Sequence, residues 1–200
     1  MLIFYFAPGS SAMATHIALH ETGAPFEPRL LSFKNKEQQR PDYLALNPEG
    51  KVPALVIDGR VLTEVAATLY YLAKTYPHAN LWPQGGIEGE AHAVSWMSFI
   101  AATVHPSRRA GEEAWRAVFH LCEKRLGGDD WAAGGAYSSA DIHLFRLFWR
   151  FVDALHPDRA IYPGLYRHYD RMMARPAVKK TIEIENAIGY EFPVGAGTNP

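Results

Sequence analysis

A tight β-hairpin around residue 58 constrains the fold of this chain more than any other sequence feature. Residues 53–57 and 60–63 are short runs rich in β-branched and aliphatic residues, and the dipeptide Asp58-Gly59 stands between them. An Asp-Gly pair favours a two-residue turn, which sets the flanking strands antiparallel. The hairpin therefore predicts that this part of the chain contains a β-sheet.

The segments around the hairpin predict a small α/β domain that spans residues 1–77. An apolar and aromatic run that ends at a Pro-Gly turn is typical of a buried strand, and Gly23 and Pro77 are suited to end the two helices. Pro28 indicates an edge position for its strand. In chain order, the elements predicted around the hairpin are a strand at 2–6, a helix at 11–21, a strand at 26–33, a polar loop at 34–40 and a helix at 64–76.

The rest of the chain predicts a linker at 78–88 and an all-helical domain at 89–200. The linker contains one proline and two glycines and has no hydrophobic periodicity. Ser138 and Asp141 have the spacing of a capping box, in which two side chains satisfy each other's backbone N–H groups at a helix start. We expect the tail at 195–200 to fray. Helices, each with an apolar and aromatic stripe, are predicted at 90–104, 111–126, 139–155 and 165–175.

The composition excludes several classes of partner. The chain has 20 Lys and Arg against 21 Asp and Glu, so it lacks the basic excess that is typical of nucleic-acid binders. No apolar run approaches the roughly 20 residues that a membrane-spanning helix needs. The single cysteine, Cys122, cannot form an internal disulfide, and the first residues lack a secretory leader pattern. We therefore expect a cytoplasmic protein with small-molecule or protein partners, but no nucleic acid and no membrane.

Several motifs in this order resemble the cytosolic glutathione transferases, and among them the bacterial beta class. They are the Pro-Gly-Ser-Ser turn at 8–11, the Asn-Pro-Glu-Gly-Lys-Val-Pro segment at 47–53, Leu-Thr-Glu at 62–64 and the segment 100–105 that ends in histidine. The resemblance implies a thioredoxin-like α/β N-terminal domain and an all-α helical-bundle C-terminal domain. It also implies glutathione as co-substrate and a homodimer.

The residue that would activate the glutathione thiol departs from the beta class. Where that class has a cysteine facing the glutathione sulfur, this chain has Ser11. The resemblance favours Ser11 as hydrogen-bond donor to the sulfur, with Tyr5 and Ser10 as alternatives, although Ser10 or Ser11 could also serve only as a helix N-cap. His105 matches the beta-class histidine beside the same sulfur. It also falls near the predicted end of a helix, where a cationic imidazole is favourable in any protein.

The resemblance also implies a set of glutathione-binding residues. Val52 would pair its backbone N–H and C=O with the cysteinyl unit, before a cis bond to Pro53. Glu64 would bind the amino group of the γ-glutamyl unit, and Val65 stands where the family has a serine, so that only its backbone amide can serve. The remaining candidates, for the glycyl carboxylate, are Lys36 and Lys51.

These residues predict an enzyme that activates the glutathione thiol for conjugation to a hydrophobic electrophile. Two alternatives remain open: a glutathione-dependent peroxidase or disulfide reductase, and a non-catalytic binding or regulatory protein of the same fold. His16 and His20 have the i, i+4 spacing of metal ligands, but no acidic or cysteine partner accompanies them in the sequence. We expect no metal, and we interpret His16 as a packed structural residue.

Overall fold

A mixed sheet of four strands organises the first part of the protein. The computed structural model describes residues 1–191, so the tail that we expect to fray, 195–200, lies outside the described residues. The strand order is β2-β1-β3-β4, with β1 parallel to β2 and antiparallel to β3. The predicted hairpin is confirmed, because β3 and β4 pair antiparallel around Asp58 and Gly59, both at positive φ. The strands are β1 (Leu2–Phe6), β2 (Phe26–Leu30), β3 (Ala54–Ile57) and β4 (Arg60–Thr63).

Helices pack against this sheet and against one another. The Thr15 and Thr68 hydroxyls lie 2.7 Å apart and join the first helix to the third. Gly23 ends the first helix in the left-handed conformation, as predicted. The helices of this part are α1 (Ala12–Thr22), α2 (Pro41–Leu46) and α3 (Val65–Thr75).

The second strand and the loop after it differ from the prediction. Strand β2 ends at Leu30 rather than at residue 33, because the backbone at Ser32 turns to pair with Glu37. The short helix α2 was not predicted. Its six residues are too few to show a helical period, although Pro41 at its first position is a helix-start signal.

The second part of the protein is helical, and the four predicted helices are confirmed with small shifts of their ends. Its core is aromatic, with ring centroids of Phe119 and Phe151 4.4 Å apart. The first helix is followed without a break by a π-helical turn at Ile100–Val104. The helices are α4 (Gly86–Phe99), α5 (His105–Ser107), α6 (Glu112–Leu126), α7 (Ser139–Leu155) and α8 (Pro163–Ala174).

Part of the predicted linker belongs to this helical unit. Leu81 and Trp82 are buried, and α4 begins at Gly86, inside the segment predicted as linker. The error arises because a proline- and glycine-rich segment has no periodicity even where its apolar side chains pack.

A last helix, α9 (Pro176–Ile188), completes the chain that the structure describes. The chain divides into two compact units, the first from Met1 to Ala79 together with α9, and the second from Asn80 to Arg175. The sequence-based division placed residues 89–200 in one helical domain, whereas α9 groups with the sheet. Polar contacts contribute to this grouping, because side chains of α9 are hydrogen-bond partners of α1 and of the turn before it.

The predicted capping box at the start of α7 is confirmed. The Ser138 backbone N–H donates to Asp141 Oδ2 over 2.8 Å, and the Ser138 hydroxyl accepts from the first turn of the helix. Asp141 Oδ1 also accepts from the Ala132 N–H at 2.6 Å and from His168 Nε2 at 3.0 Å. Within residues 1–191, none of the helices is both long and apolar enough to cross a membrane.

Candidate functional site

The turn between β1 and α1 gives its two serines different tasks. Ser10 is buried, and its hydroxyl accepts from the Ala12 N–H over 3.2 Å, so Ser10 satisfies a backbone donor at the helix start. Ser11 makes no such capping bond. Its hydroxyl, half-buried, donates instead to the Val52 carbonyl oxygen over 3.0 Å. Capping is therefore the work of Ser10, and the Ser11 hydroxyl faces the other predicted glutathione-binding segment.

The segment that ends at Val52 is built around a buried asparagine. Asn47 Nδ2 donates to the Lys51 carbonyl over 2.8 Å, and the Tyr43 hydroxyl donates to the same oxygen over 2.5 Å. Burial raises the pKa of Tyr43, so this phenol remains a donor. The Val52–Pro53 peptide bond is cis, as the resemblance implies. These contacts fix the backbone next to the Val52 carbonyl, which accepts the hydrogen bond from the Ser11 hydroxyl.

Glu64 stands at the start of α3 in an unusual backbone conformation. Its φ is 68° and its ψ is 127°, a region that side chains other than glycine rarely adopt and that costs on the order of 1–3 kcal/mol. Its carboxylate is exposed and makes no capping bond to the helix, whereas Val65 after it is buried. Strain of this kind concentrates at functional sites, and here it presents an acid beside a helix N-terminus.

The two candidate lysines differ in their surroundings. Lys51 forms an exposed ion pair with Glu49, with 3.0 Å between nitrogen and oxygen. Lys36 is also exposed and lies in the loop between β2 and α2 with a φ of 53°. Both belong to the first unit, as do Ser11 and Glu64.

Tyr5, an alternative ligand for the sulfur, lies on β1 beside Tyr43, with 5.5 Å between ring centroids. Successive side chains of a strand point to opposite faces. Phe4 and Phe6 contact His16 of α1, so Tyr5 points to the sheet face away from α1.

His105 belongs to the second unit and lies near the end of a helix, as the sequence predicts. Helix α4 ends at Phe99, and the π-helical turn and α5 continue the helical backbone past His105 to Arg108. The α-helical backbone ends at Ser107, so the exposed imidazole stands in the last turn, where the helix dipole favours a positive charge.

Sequence reasoning missed one buried residue that supports the serine turn. Glu185 of α9 is fully buried; its Oε2 accepts from the Gly9 N–H over 2.7 Å, and its Oε1 lies 2.8 Å from His16 Nδ1. His20, one helical turn after His16, lies 2.9 Å from the Thr181 hydroxyl of α9, and burial and His16 lower its pKa to about 4. A helical period over 176–188, with Ala177, Thr181 and Glu185 on one face, was the available signal.

Comparison with known proteins identifies the family. The family model for the glutathione S-transferase N-terminal domain matches residues 1–74, and the model for the C-terminal domain matches residues 91–176. The chain belongs to the glutathione S-transferase family.

Bacterial glutathione S-transferases are among the relatives of this chain. The glutathione S-transferase GST-4.5 of Xanthomonas campestris is 31% identical over 90% of this chain and 97% of its own length. A sphingomonad glutathione S-transferase, solved in complex with glutathione, is 32% identical with a TM-score of 0.82 and covers 92% of this chain and 98% of its own. A beta-class glutathione S-transferase of Sphingomonas chungbukensis is 32% identical with a TM-score of 0.80 over the same shares of both chains.

Proposed function

We propose that this transferase binds glutathione at the first unit, activates its thiol and conjugates it to a hydrophobic electrophile. The observation that carries the proposal is the 3.0 Å bond from the Ser11 hydroxyl to the Val52 carbonyl. It brings the proposed sulfur ligand to the backbone segment proposed to pair with the cysteinyl unit. Both stand at the N-terminal end of α1, where the helix dipole favours a negative charge.

Each part of glutathione has a complementary group in this unit. The cysteinyl unit pairs with the Val52 backbone as an added strand would. The Val52 oxygen has two lone pairs, so it can accept from the peptide while Ser11 stays close. The γ-glutamyl amino group binds the exposed Glu64 carboxylate, and the γ-glutamyl carboxylate meets the Val65 N–H at the start of α3.

The glycyl carboxylate of glutathione binds Lys36 and Lys51. Lys51 exchanges Glu49 for the ligand at low cost, because an exposed ion pair contributes only about 0–1 kcal/mol. That both lysines are exposed leaves their ammonium groups accessible to a ligand from solvent.

The Ser11 hydroxyl activates the thiol by turning from the Val52 oxygen to the sulfur. A hydrogen bond to a thiolate is charge-assisted and stronger than one to a neutral carbonyl. A free thiol has a pKa of about 8.5, and lowering it by about two units takes less than about 3 kcal/mol of differential stabilisation. Ser10 is the weaker candidate because its buried hydroxyl oxygen already accepts a hydrogen bond from the Ala12 N–H. Tyr5 and His105 remain the alternative groups.

A second candidate function is glutathione-dependent disulfide reduction or peroxide reduction. A disulfide-bond oxidoreductase of Escherichia coli is 26% identical over 91% of this chain. The thiol would have to come from glutathione, because Cys122 is buried and burial raises its pKa to about 12. Replacement of the family's cysteine and serine by Ser11 and Val65 is the feature that favours the third candidate, a binding or regulatory protein.

The test is the thiol pKa of bound glutathione in wild type and in Ser11→Ala, read from ultraviolet thiolate absorbance. We expect the bound thiol of wild type to titrate below its free value. In Ser11→Ala we expect the pKa to rise by about one unit and turnover of an aryl halide at pH 7 to fall about threefold, as the thiolate fraction does. The control is Ser10→Ala, which removes the helix cap and lowers stability by about 1 kcal/mol without moving the thiol pKa.

The outcomes separate the candidates. An unchanged thiol pKa in Ser11→Ala removes Ser11 from the mechanism. Failure of wild type to bind immobilised glutathione contradicts the whole proposal. Retention on glutathione with no turnover of an aryl halide, a hydroperoxide or a mixed disulfide favours the binding protein, and turnover of only the last two favours the reductase or peroxidase.

A further inference from the structure

Lys36 lies in the loop between β2 and α2 and has an unfavourable backbone conformation, which other contacts of the loop must stabilise. Lys36 has a φ of 53°, in the left-handed region that is unfavourable for a lysine. Its N–H donates to the Phe33 carbonyl over 3.0 Å. The loop also packs against the segment before Val52, because a Cβ on Gly50 would stand 3.0 Å from the Gln38 carbonyl oxygen.

Two carboxylates brace this loop. Glu37, inside the loop, accepts from the Ser32 N–H over 2.8 Å. Glu191, about 157 residues further along the chain, approaches from outside. Its two carboxylate oxygens accept from the Ser32 hydroxyl over 3.0 and 2.9 Å, and Oε2 also accepts from the Lys34 N–H over 2.9 Å.

A further hydrogen bond connects the Glu191 contacts to Asn35, the residue before Lys36. The Ser32 hydroxyl that donates to Glu191 accepts in turn from the Asn35 N–H over 3.0 Å. The Lys34 N–H, followed by the Ser32 hydroxyl, holds the pKa of Glu191 below its usual range, so this carboxylate is ionised at neutral pH. The bonds are therefore charge-assisted, which makes them stronger than bonds between neutral groups.

We propose that Glu191 is a positioning residue for glutathione, because its carboxylate holds the β2–α2 loop in the conformation from which Lys36 binds the glycyl carboxylate. The inference rests on the proposed glutathione binding of Lys36 and adds to it a residue from beyond α9. Glu191 touches no part of glutathione in this account. It acts only through the loop.

The variant Glu191→Gln keeps the size of the side chain but removes its charge and one acceptor oxygen. We expect the dissociation constant and the KM for glutathione to rise about fivefold, the size of one lost hydrogen bond, while kcat stays within about twofold. The matched control is Glu183→Gln, an exposed glutamate on α9, which should leave both constants unchanged.

Two further measurements distinguish positioning from a general loss of structure. Glutathione with its glycyl carboxylate blocked as an ester should bind wild type and Glu191→Gln equally, because Lys36 no longer has a partner. In the background of Lys36→Met, Glu191→Gln should cause no additional loss of glutathione affinity.

The proposal is overturned if Glu191→Gln binds glutathione as wild type does. It is also overturned if Glu191→Gln weakens binding of the ester as much as it weakens binding of glutathione. The same holds if the losses of glutathione affinity caused by Glu191→Gln and Lys36→Met add in the double variant. In each of these cases wild type still binds glutathione, so the proposed function stands. Absence of glutathione binding in wild type removes both.

Discussion

Glu64 combines an exposed carboxylate with a backbone conformation that favours glycine. Because φ is 68° at this position, glycine should stabilise the protein more than alanine does, which is the reverse of their usual order in a helix. We predict that Glu64→Gly has a higher free energy of unfolding than Glu64→Ala by about 1 kcal/mol, because glycine adopts this conformation without strain. Chemical denaturation measures the difference.

The control for this prediction lies on an ordinary helix. At the exposed Lys179 of α9, Lys179→Ala should be more stable than Lys179→Gly by about 1 kcal/mol. Both Glu64 variants should lose affinity for glutathione to the same extent, because both lack the carboxylate. If alanine is the more stable residue at both positions, position 64 is not strained.

At the scale of single residues, the sequence indicated candidate side chains but not the contacts that each of them makes in the folded chain. Serine at the start of a helix is consistent with capping and with a ligand role, and local physics does not choose between them. The choice depends on Val52, which is distant in sequence and comes close only in the folded sheet. Glu185 and Glu191 were missed for the same reason, since each bonds backbone N–H groups more than 150 residues away.

Among the elements, helix α7 contains a buried histidine that should make stability depend on pH. His143 lies inside the second unit, and burial, with smaller effects of His105 and Arg146, lowers its pKa to about 3. In the unfolded chain its pKa is about 6.5. Between these values only the unfolded state binds the proton, so stability is lost as the pH falls below about 6.5.

We predict that His143 contributes about 2 kcal/mol to the fall in the free energy of unfolding between pH 7 and pH 5. His143→Leu should reduce that fall by the same amount, as measured by denaturant unfolding at the two pH values. His92→Leu, which changes an exposed histidine of α4, should leave the fall as in wild type. Equal slopes for wild type and His143→Leu would mean that folding does not lower the pKa of His143.

The elements themselves were largely predictable where their signals are local. The Asp-Gly hairpin, the capping box at Ser138 and the end of α1 at Gly23 depend on residues a few positions apart, and all three are confirmed. The π-helical turn before His105 and the buried Leu81 and Trp82 depend on packing. Hydrophobic periodicity contains no information on such a turn, and a segment rich in Pro and Gly conceals buried residues.

At the scale of the whole molecule, exposed apolar side chains support the homodimer that the resemblance implies. Val61 lies on β4, an edge strand of the sheet, and is 38% exposed, and Tyr70 of α3 is 46% exposed. An unpaired edge with apolar neighbours is a surface that a second copy can cover. We therefore propose a two-fold symmetric dimer, the commonest form of soluble oligomer.

Association with a second copy makes the measured stability depend on concentration. If unfolding dissociates the dimer, a hundredfold increase in protein concentration should raise the free energy of unfolding per dimer by about 2.7 kcal/mol. Denaturation midpoints measured across that range, with light scattering on the same samples, check the prediction. A midpoint independent of concentration together with a monomer mass would contradict the dimer, and the exposed side chains of β4 and α3 would then be ordinary surface.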